Sequence, residues 1–169
     1  SETYRSKEKQ YNLLKLIVSE LKELGIEDVN MDEHGYVFAT IPSNLPDGHP
    51  ASGKVPAIGF LAHVDTSPDS SGKDVKPNII ENYQGGDITL PGDTSKMIKL
   101  SENKNLESCI GHTIVTTDGT TLLGADNKSG IASIMTMAQT LMNNKDILHG
   151  DIKIGFTPDE EIGQGTKYF

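Results

Sequence analysis

Three short apolar runs, each followed by residues of the kind that bind metals, most strongly constrain how this chain can fold. They cover 55–62, 121–123 and 151–156. The first and third are continuous rather than alternating, which is typical of strands buried on both faces of a sheet. The carboxyl ends of strands in an α/β sheet meet along one edge, where ligands bind. The pattern therefore predicts a site at that edge.

The residues that follow these runs carry imidazole and carboxylate groups, which zinc, manganese and cobalt accept. These residues include His63, Asp65, Asp126, Glu160 and Glu161. The carboxylate of Asp65 is placed to hold the imidazole of His63. Asp126 has two oxygens with which to bridge two cations. Of the adjacent carboxylates in 159–161, one can bind metal while a neighbour accepts a proton from water.

Each segment also has a simpler interpretation. A His-x-Asp pattern occurs often by chance, and Asp126 or Asn127 could cap the helix predicted after them. The run 159–161 could be a solvated acidic loop. Because all three segments follow strands of one predicted α/β pattern, their coincidence favours a site.

The remaining patterns predict an α/β fold with a mixed, largely parallel sheet flanked by helices. Apolar positions at helical spacing predict two helices, and alternation with turn residues predicts two hairpins. The helices cover 6–24 and 131–142, and the hairpins join 28–32 to 36–41 and 113–117 to 120–123. The weakly patterned stretch 66–112 is either a functional insert or a small sheet of its own.

Composition excludes several classes of protein. The formal charge of −9 among 169 residues argues against a nucleic-acid or anionic-membrane surface. No apolar stretch approaches the roughly 18 residues of a membrane span. Cys109 is the single cysteine, so an internal disulfide is excluded and a cytoplasmic location is favoured. We interpret Cys109 as an idle thiol and both His34 and His49 as loop residues rather than ligands.

The stretches 59–66, 117–128 and 156–163 resemble the peptidase T family, the tripeptide aminopeptidases among the di-zinc exopeptidases. Aminoacylases and carboxypeptidases are related to them. The resemblance extends over nearly the whole chain and includes 32–37 and 72–77. It implies that the chain is a partial zinc-exopeptidase catalytic domain. The parent enzyme would act on tripeptides with two zinc ions, for which cobalt or manganese could substitute.

The resemblance also implies a role for each candidate residue. His63 would bind one metal, Asp126 would bridge both, and Glu161 would bind the second. Glu160 would be the general base and Asp65 would orient His63. A cis peptide bond would follow Asp126. Asn127 stands where the family usually has an aspartate. Because that aspartate binds no metal, we expect this difference from the family to have only a mild effect.

The resemblance implies that residues 1–169 are only part of a catalytic domain. The start of that domain, an inserted smaller domain and the C-terminal part would lie outside. Two protein ligands per metal fall short of the three usual for catalytic zinc, so we expect the isolated chain to be inactive. Three alternatives stay open: an aminoacylase, a dipeptidase, and a non-catalytic metal-binding module. A homo-oligomeric state also stays open.

Overall fold

The computed structural model describes residues 5–168, which form two compact units. Unit 1 comprises 5–67 and 125–168, and unit 2 comprises 68–124. In chain order the helices and strands are α1 (Arg5–Glu23), β1 (Asp28–Met31), β2 (Val37–Ile41), β3 (Ile58–His63), β4 (Pro77–Ile80), β5 (Ile88–Thr89), β6 (Met97–Ile98), β7 (Ile114–Thr117), α2 (Ala125–Asn143) and β8 (Ile152–Thr157). Two short 3-10 helices cover Lys104–Cys109 and Glu160–Ile162.

Unit 1 contains a four-stranded sheet in the order β1-β2-β8-β3. β1 pairs antiparallel with β2, and β2 pairs antiparallel with β8. β3 runs parallel to β8, which requires the long crossover that unit 2 and α2 provide. The predicted mixed α/β class is confirmed. Within residues 5–168, however, the parallel part of this sheet is the single β3–β8 pairing.

The first helix and the hairpin after it agree with prediction. Leu14, Ile17 and Leu21 repeat at helical spacing and are fully buried against the sheet. Gly25 ends α1 with φ of 86°, and Ile26 N–H returns to the Leu21 carbonyl. These are the features of a glycine-terminated helix whose last carbonyls are satisfied by the chain that follows.

The strand predicted from the apolar run 55–62 is present as β3, but its predicted burial on both faces is wrong. Its last two residues, Ala62 and His63, are buried, whereas Ile58 and Leu61 are 51% and 58% exposed. The reason is topological, because β3 pairs only with β8 and forms an edge of the sheet among the described residues. The third run, β8, is an inner strand and is buried as predicted.

The predicted hairpin of 113–117 with 120–123 is also wrong. β7 pairs antiparallel with β4, so that Ile114 lies opposite Ile80, and 120–123 is a loop. The stretch 66–112 therefore contains the small sheet β5–β6, and its strand β4 forms a second small sheet with β7, which follows the stretch. Their apolar residues pack in a core of unit 2 around Tyr83, Ile88 and Leu90.

The second helix begins earlier than the predicted start at residue 131. α2 opens at Ala125, and Asp126 and Asn127 have non-helical dihedral angles at a kink. Ile131, Ile134 and Ala138 form its buried side. No helix described between residues 5 and 168 is long and apolar enough to cross a membrane.

Candidate metal centre

His63 is the last residue of β3, and the Nδ1 side of its ring contacts Asp65. Its Nδ1 atom lies 3.1 Å from the backbone oxygen of Asp65 and 3.3 Å from Asp65 Oδ1. Both side chains are buried. A proton on Nδ1 satisfies either contact and leaves the Nε2 lone pair free to bind a cation.

Asp126 reaches the same place from the start of α2. Its peptide bond to Asn127 is cis, as the resemblance implied. Asp126 Oδ1 lies 3.0 Å from His63 Nε2, and the Asp126 side chain is 85% exposed. The ligand atoms of one tetrahedral zinc ion lie about 3.3 Å apart. The separation therefore suits a shared cation as well as a direct hydrogen bond.

Glu160 and Glu161 follow β8 in a short 3-10 turn. The backbone N–H of Glu160 donates to Asp65 Oδ1 at 3.1 Å, and that of Glu161 donates to Asp65 Oδ2 at 2.9 Å. One buried carboxylate thus contacts both the ring of His63 and the turn that carries the two glutamates. The spacing of His63 and Asp65 predicted the first contact but gave no signal for the second.

The structure brings all five candidate residues to one edge of the unit 1 sheet. One ligand atom each from His63, Asp126 and Glu161 lies within 4.8 Å of the others. Glu160 Oε2 is 3.7 Å from His63 Nε2. An imidazole and two carboxylates at this separation match the donor set of a zinc, manganese or cobalt site. An adjoining cavity of about 260 Å³ is lined in part by Leu61, Thr157 and Thr166.

Lys128, in α2, interacts electrostatically with Asp65. Partial desolvation lowers the pKa of its ammonium, while the charge of Asp65 opposes that shift.

The residues interpreted as lying outside the site are elsewhere. His34 stacks on Tyr168 with ring centroids 3.9 Å apart, and His49 accepts a hydrogen bond from Ala51 N–H in its loop. Cys109 belongs to unit 2, and its thiol donates to the carbonyl of Asn105. A further contact, between Gln10 and Asp159, was not predicted. The two residues are 149 positions apart, and no motif joins them.

Comparison with known proteins identifies the relatives of this chain. No protein-family model matches it. A protein from Halothermothrix orenii named Peptidase T is 56% identical over 171 residues, which cover 100% of this chain and 40% of that protein. A Bacillus pumilus protein of the same name is 53% identical over 99% of this chain and 40% of its own length. The chain is a homologue of peptidase T.

The solved structures agree with this assignment. The aminopeptidase PepT from Bacillus cereus superposes with a TM-score of 0.63 at 27% identity, covering 95% of this chain and 34% of that one. A tripeptidase from Staphylococcus aureus shares the fold with a TM-score of 0.60 at 24% identity, covering 92% and 33%. The chain therefore spans about 40% of the length of the peptidase T proteins it matches.

Proposed function

We propose that this chain carries part of the active site of a metal-dependent aminopeptidase that removes the N-terminal residue of tripeptides. The carrying observation is the convergence of His63, Asp126 and Glu161, with Glu160 beside them. Support for the substrate class comes from the names of the peptidase T homologues and of the PepT structure. Residues 1–169 would be one portion of the catalytic domain, consistent with the 40% coverage.

In this proposal His63, Asp126 and Glu161 would hold two ions, with Asp126 between them. Zinc is proposed, with cobalt and manganese as alternatives. Bound metal would polarise the scissile carbonyl and make water a stronger nucleophile at neutral pH. Glu160 takes the proton from the attacking water and passes it to the leaving amine. Asp65 keeps the His63 ring and the glutamate turn in place through the contacts described above.

The remaining parts of the proposal concern context. We propose a cytoplasmic protein, supported by the single cysteine, and a small peptide as its partner rather than nucleic acid or membrane. Three protein ligands for two ions are fewer than catalytic zinc normally has. The isolated 169-residue chain should therefore hydrolyse tripeptides poorly or not at all.

Substrate comparison with the full-length protein tests the reaction. A free tripeptide, a dipeptide and an N-acyl amino acid are offered to the zinc-loaded protein, and release of amino acid is followed. Preferred cleavage of the tripeptide supports the proposal. Preferred cleavage of the N-acyl amino acid would make the protein an aminoacylase, and preference for the dipeptide would make it a dipeptidase.

Zinc titration tests the site itself and addresses the metal-binding-module alternative. We expect His63→Ala to weaken zinc binding by at least about 10-fold. His49→Ala removes an imidazole outside the site and should leave binding unchanged. If His63→Ala binds zinc as tightly as the unmodified protein, the assignment of this ligand is wrong. If zinc binds but no substrate is cleaved, the module is favoured.

A further inference from the structure

Gln10, on the buried side of α1, makes a reciprocal pair of hydrogen bonds with Asp159. Gln10 Nε2 donates to Asp159 Oδ1 at 2.9 Å, and Asp159 N–H donates to Gln10 Oε1 at 3.1 Å. Gln10 is only 8% exposed. A buried carboxamide whose oxygen and nitrogen are both used is held in one orientation, since the flipped amide would face a donor with a donor and an acceptor with an acceptor.

Asp159 immediately precedes the two glutamates and has an unusual backbone conformation. Its φ of 59° and ψ of 27° are left-handed, a region that side-chain-bearing residues seldom adopt. Its carbonyl also accepts a hydrogen bond from Gln164 N–H at 2.9 Å. The N–H, carbonyl and side chain of Asp159 are therefore all engaged, and this residue sets the direction in which the chain enters the glutamate turn.

Three consecutive backbone N–H groups in this turn are bound by two buried side chains. Asp159 N–H donates to Gln10, and the N–H groups of Glu160 and Glu161 donate to the two oxygens of Asp65. Asp65 holds the turn from the β3 side, and Gln10 holds it from α1. Adjacent side chains with different tasks require a fixed backbone between them, because small misplacements of a reacting group slow catalysis.

We propose that Gln10 is a positioning residue, which acts through Asp159 to aim Glu160 and Glu161. The inference rests on the proposed function of those glutamates. Among residues 5–168, the side-chain hydrogen bonds of Gln10 go to Asp159 and not to the candidate ligands. Its effect therefore passes through the residue that precedes the two glutamates. The loss of Gln10 should therefore leave zinc bound while the base is misplaced.

The first test replaces Gln10 with methionine in the full-length protein, keeping the side-chain volume and removing both hydrogen bonds. We expect kcat for a tripeptide to fall by about 10-fold to 100-fold, with KM nearly unchanged and zinc still bound. Amide hydrogen exchange on the metal-free protein should accelerate at 159–161 and stay the same in β8. Gln139→Met, at an exposed position of α2, is the matched control and should change neither measurement.

A charge exchange keeps the proposal testable if the methionine variant is unstable. Gln10→Glu places one carboxylate against another and should lower kcat most strongly. Asp159→Asn alone still offers an oxygen to Gln10 and should have a small effect. The double variant Gln10→Glu/Asp159→Asn restores a donor facing an acceptor, and we expect it to recover most of kcat. Absence of recovery would overturn the proposal.

The outcomes separate this inference from the proposed function. If the unmodified full-length protein cleaves none of the peptides, the proposed function fails whatever Gln10 does. If it is active and Gln10→Met keeps normal kcat with normal exchange at 159–161, the positioning role is wrong. If Gln10→Met instead accelerates exchange throughout unit 1, Gln10 is a general stabilising residue and the inference also fails.

Discussion

Asp65 contacts two parts of the candidate site through one buried carboxylate. It faces His63 Nδ1 and accepts hydrogen bonds from the backbone N–H groups of Glu160 and Glu161. Asp65→Asn leaves only one side-chain oxygen to accept hydrogen bonds from the two backbone N–H groups of the glutamates. Because a buried donor without an acceptor is costly, we expect the free energy of unfolding at pH 7 to fall by about 1–3 kcal/mol. Zinc affinity should fall by about 10-fold to 100-fold.

Chemical denaturation and zinc competition measure the two effects of Asp65→Asn. Asp47→Asn makes the same chemical change at an exposed loop position and is the control. An Asp65→Asn protein with unchanged stability and unchanged zinc affinity would show that these contacts are dispensable.

Glu160 is the residue for which chemistry and binding should separate most clearly. Glu160→Gln preserves size and a carbonyl oxygen but cannot accept a proton from water. We expect kcat to fall by about 10²-fold to 10⁴-fold while the protein retains zinc. Steady-state kinetics and metal analysis of the full-length protein measure this. If bound zinc is lost in proportion to kcat, Glu160 is a metal ligand instead. If kcat changes little, Glu160 is not the base.

Asp118, in unit 2, gives a prediction about pH. Its Oδ1 accepts hydrogen bonds from Thr120 N–H at 2.8 Å and Thr120 Oγ1 at 2.6 Å, which lower the pKa of Asp118 below its ordinary value of about 3.8. A carboxyl group with a lowered pKa in the folded state stabilises the protein above its unfolded pKa. This stabilisation is lost as pH falls through the folded pKa.

The test compares thermal unfolding of the parent protein and Asp118→Asn across pH. We expect a higher Tm for the parent at pH 7 and a difference that shrinks as the pH falls below about 4. Asp47→Asn serves again as the exposed control. A Tm difference that stays constant from pH 7 to pH 3 would contradict the assignment.

At the scale of elements, α2 approaches β3 closely at Gly130. A Cβ atom added to Gly130 would lie 3.3 Å from Ala62 Cβ and 3.0 Å from Asn127 Cγ. Gly130→Ala should therefore destabilise the protein by about 1–3 kcal/mol, even though alanine favours helices over glycine. Thr136→Ala, at an exposed position of the same helix, should not. Denaturant titration decides, and a stabilised Gly130→Ala would show that the neighbouring side chains yield without cost.

The elements that local sequence pattern could predict are those whose partners are close or whose apolar face is continuous. α1, the β1–β2 hairpin and β8 fall in this group. The pairing of β7 was mispredicted because its partner β4 lies far back along the chain, and a nearby Asp118-Gly119 turn favoured a local hairpin. The exposure of Leu61 was mispredicted because an apolar run does not show whether a strand is internal or at an edge.

The sequence predicted the residues of the candidate site and the contact of Asp65 with His63. It did not predict Gln10 or the hydrogen bonds of Asp65 to the glutamate turn. His63, Asp126 and Glu161 could be found because each follows a run or opens a helix within a recognisable motif. Gln10 could not, because glutamines are common in amphipathic helices and its partner lies at the other end of the chain. The dual contact of Asp65 depends on a backbone turn that only tertiary structure brings near.

At the scale of the whole molecule, the edge of unit 1 predicts self-association of the isolated chain. β3 presents Ile58 and Leu61 on an edge that has no second partner strand among the described residues. Unpaired edges with apolar side chains pair readily with other chains. We expect the 169-residue chain to form oligomers or aggregates, and Leu61→Lys to reduce them.

Light scattering at several concentrations measures this association. Leu16→Lys introduces the same charge at an exposed position of α1, 52% exposed, and should have less effect. A monodisperse monomer of the unmodified chain would contradict the prediction, as would equal effects of the two lysine substitutions.

The chain leaves unit 1 after residue 67 and re-enters it at residue 125. A backbone cut within 68–124 would thus put His63 on one piece and Asp126, Glu160 and Glu161 on the other, without removing any candidate ligand. The strand pairings β2–β8 and β3–β8 both join the two pieces. Unit 1 is therefore built from two separate stretches of sequence. If the two pieces were made separately, metal binding at the proposed site would report that they had reassembled.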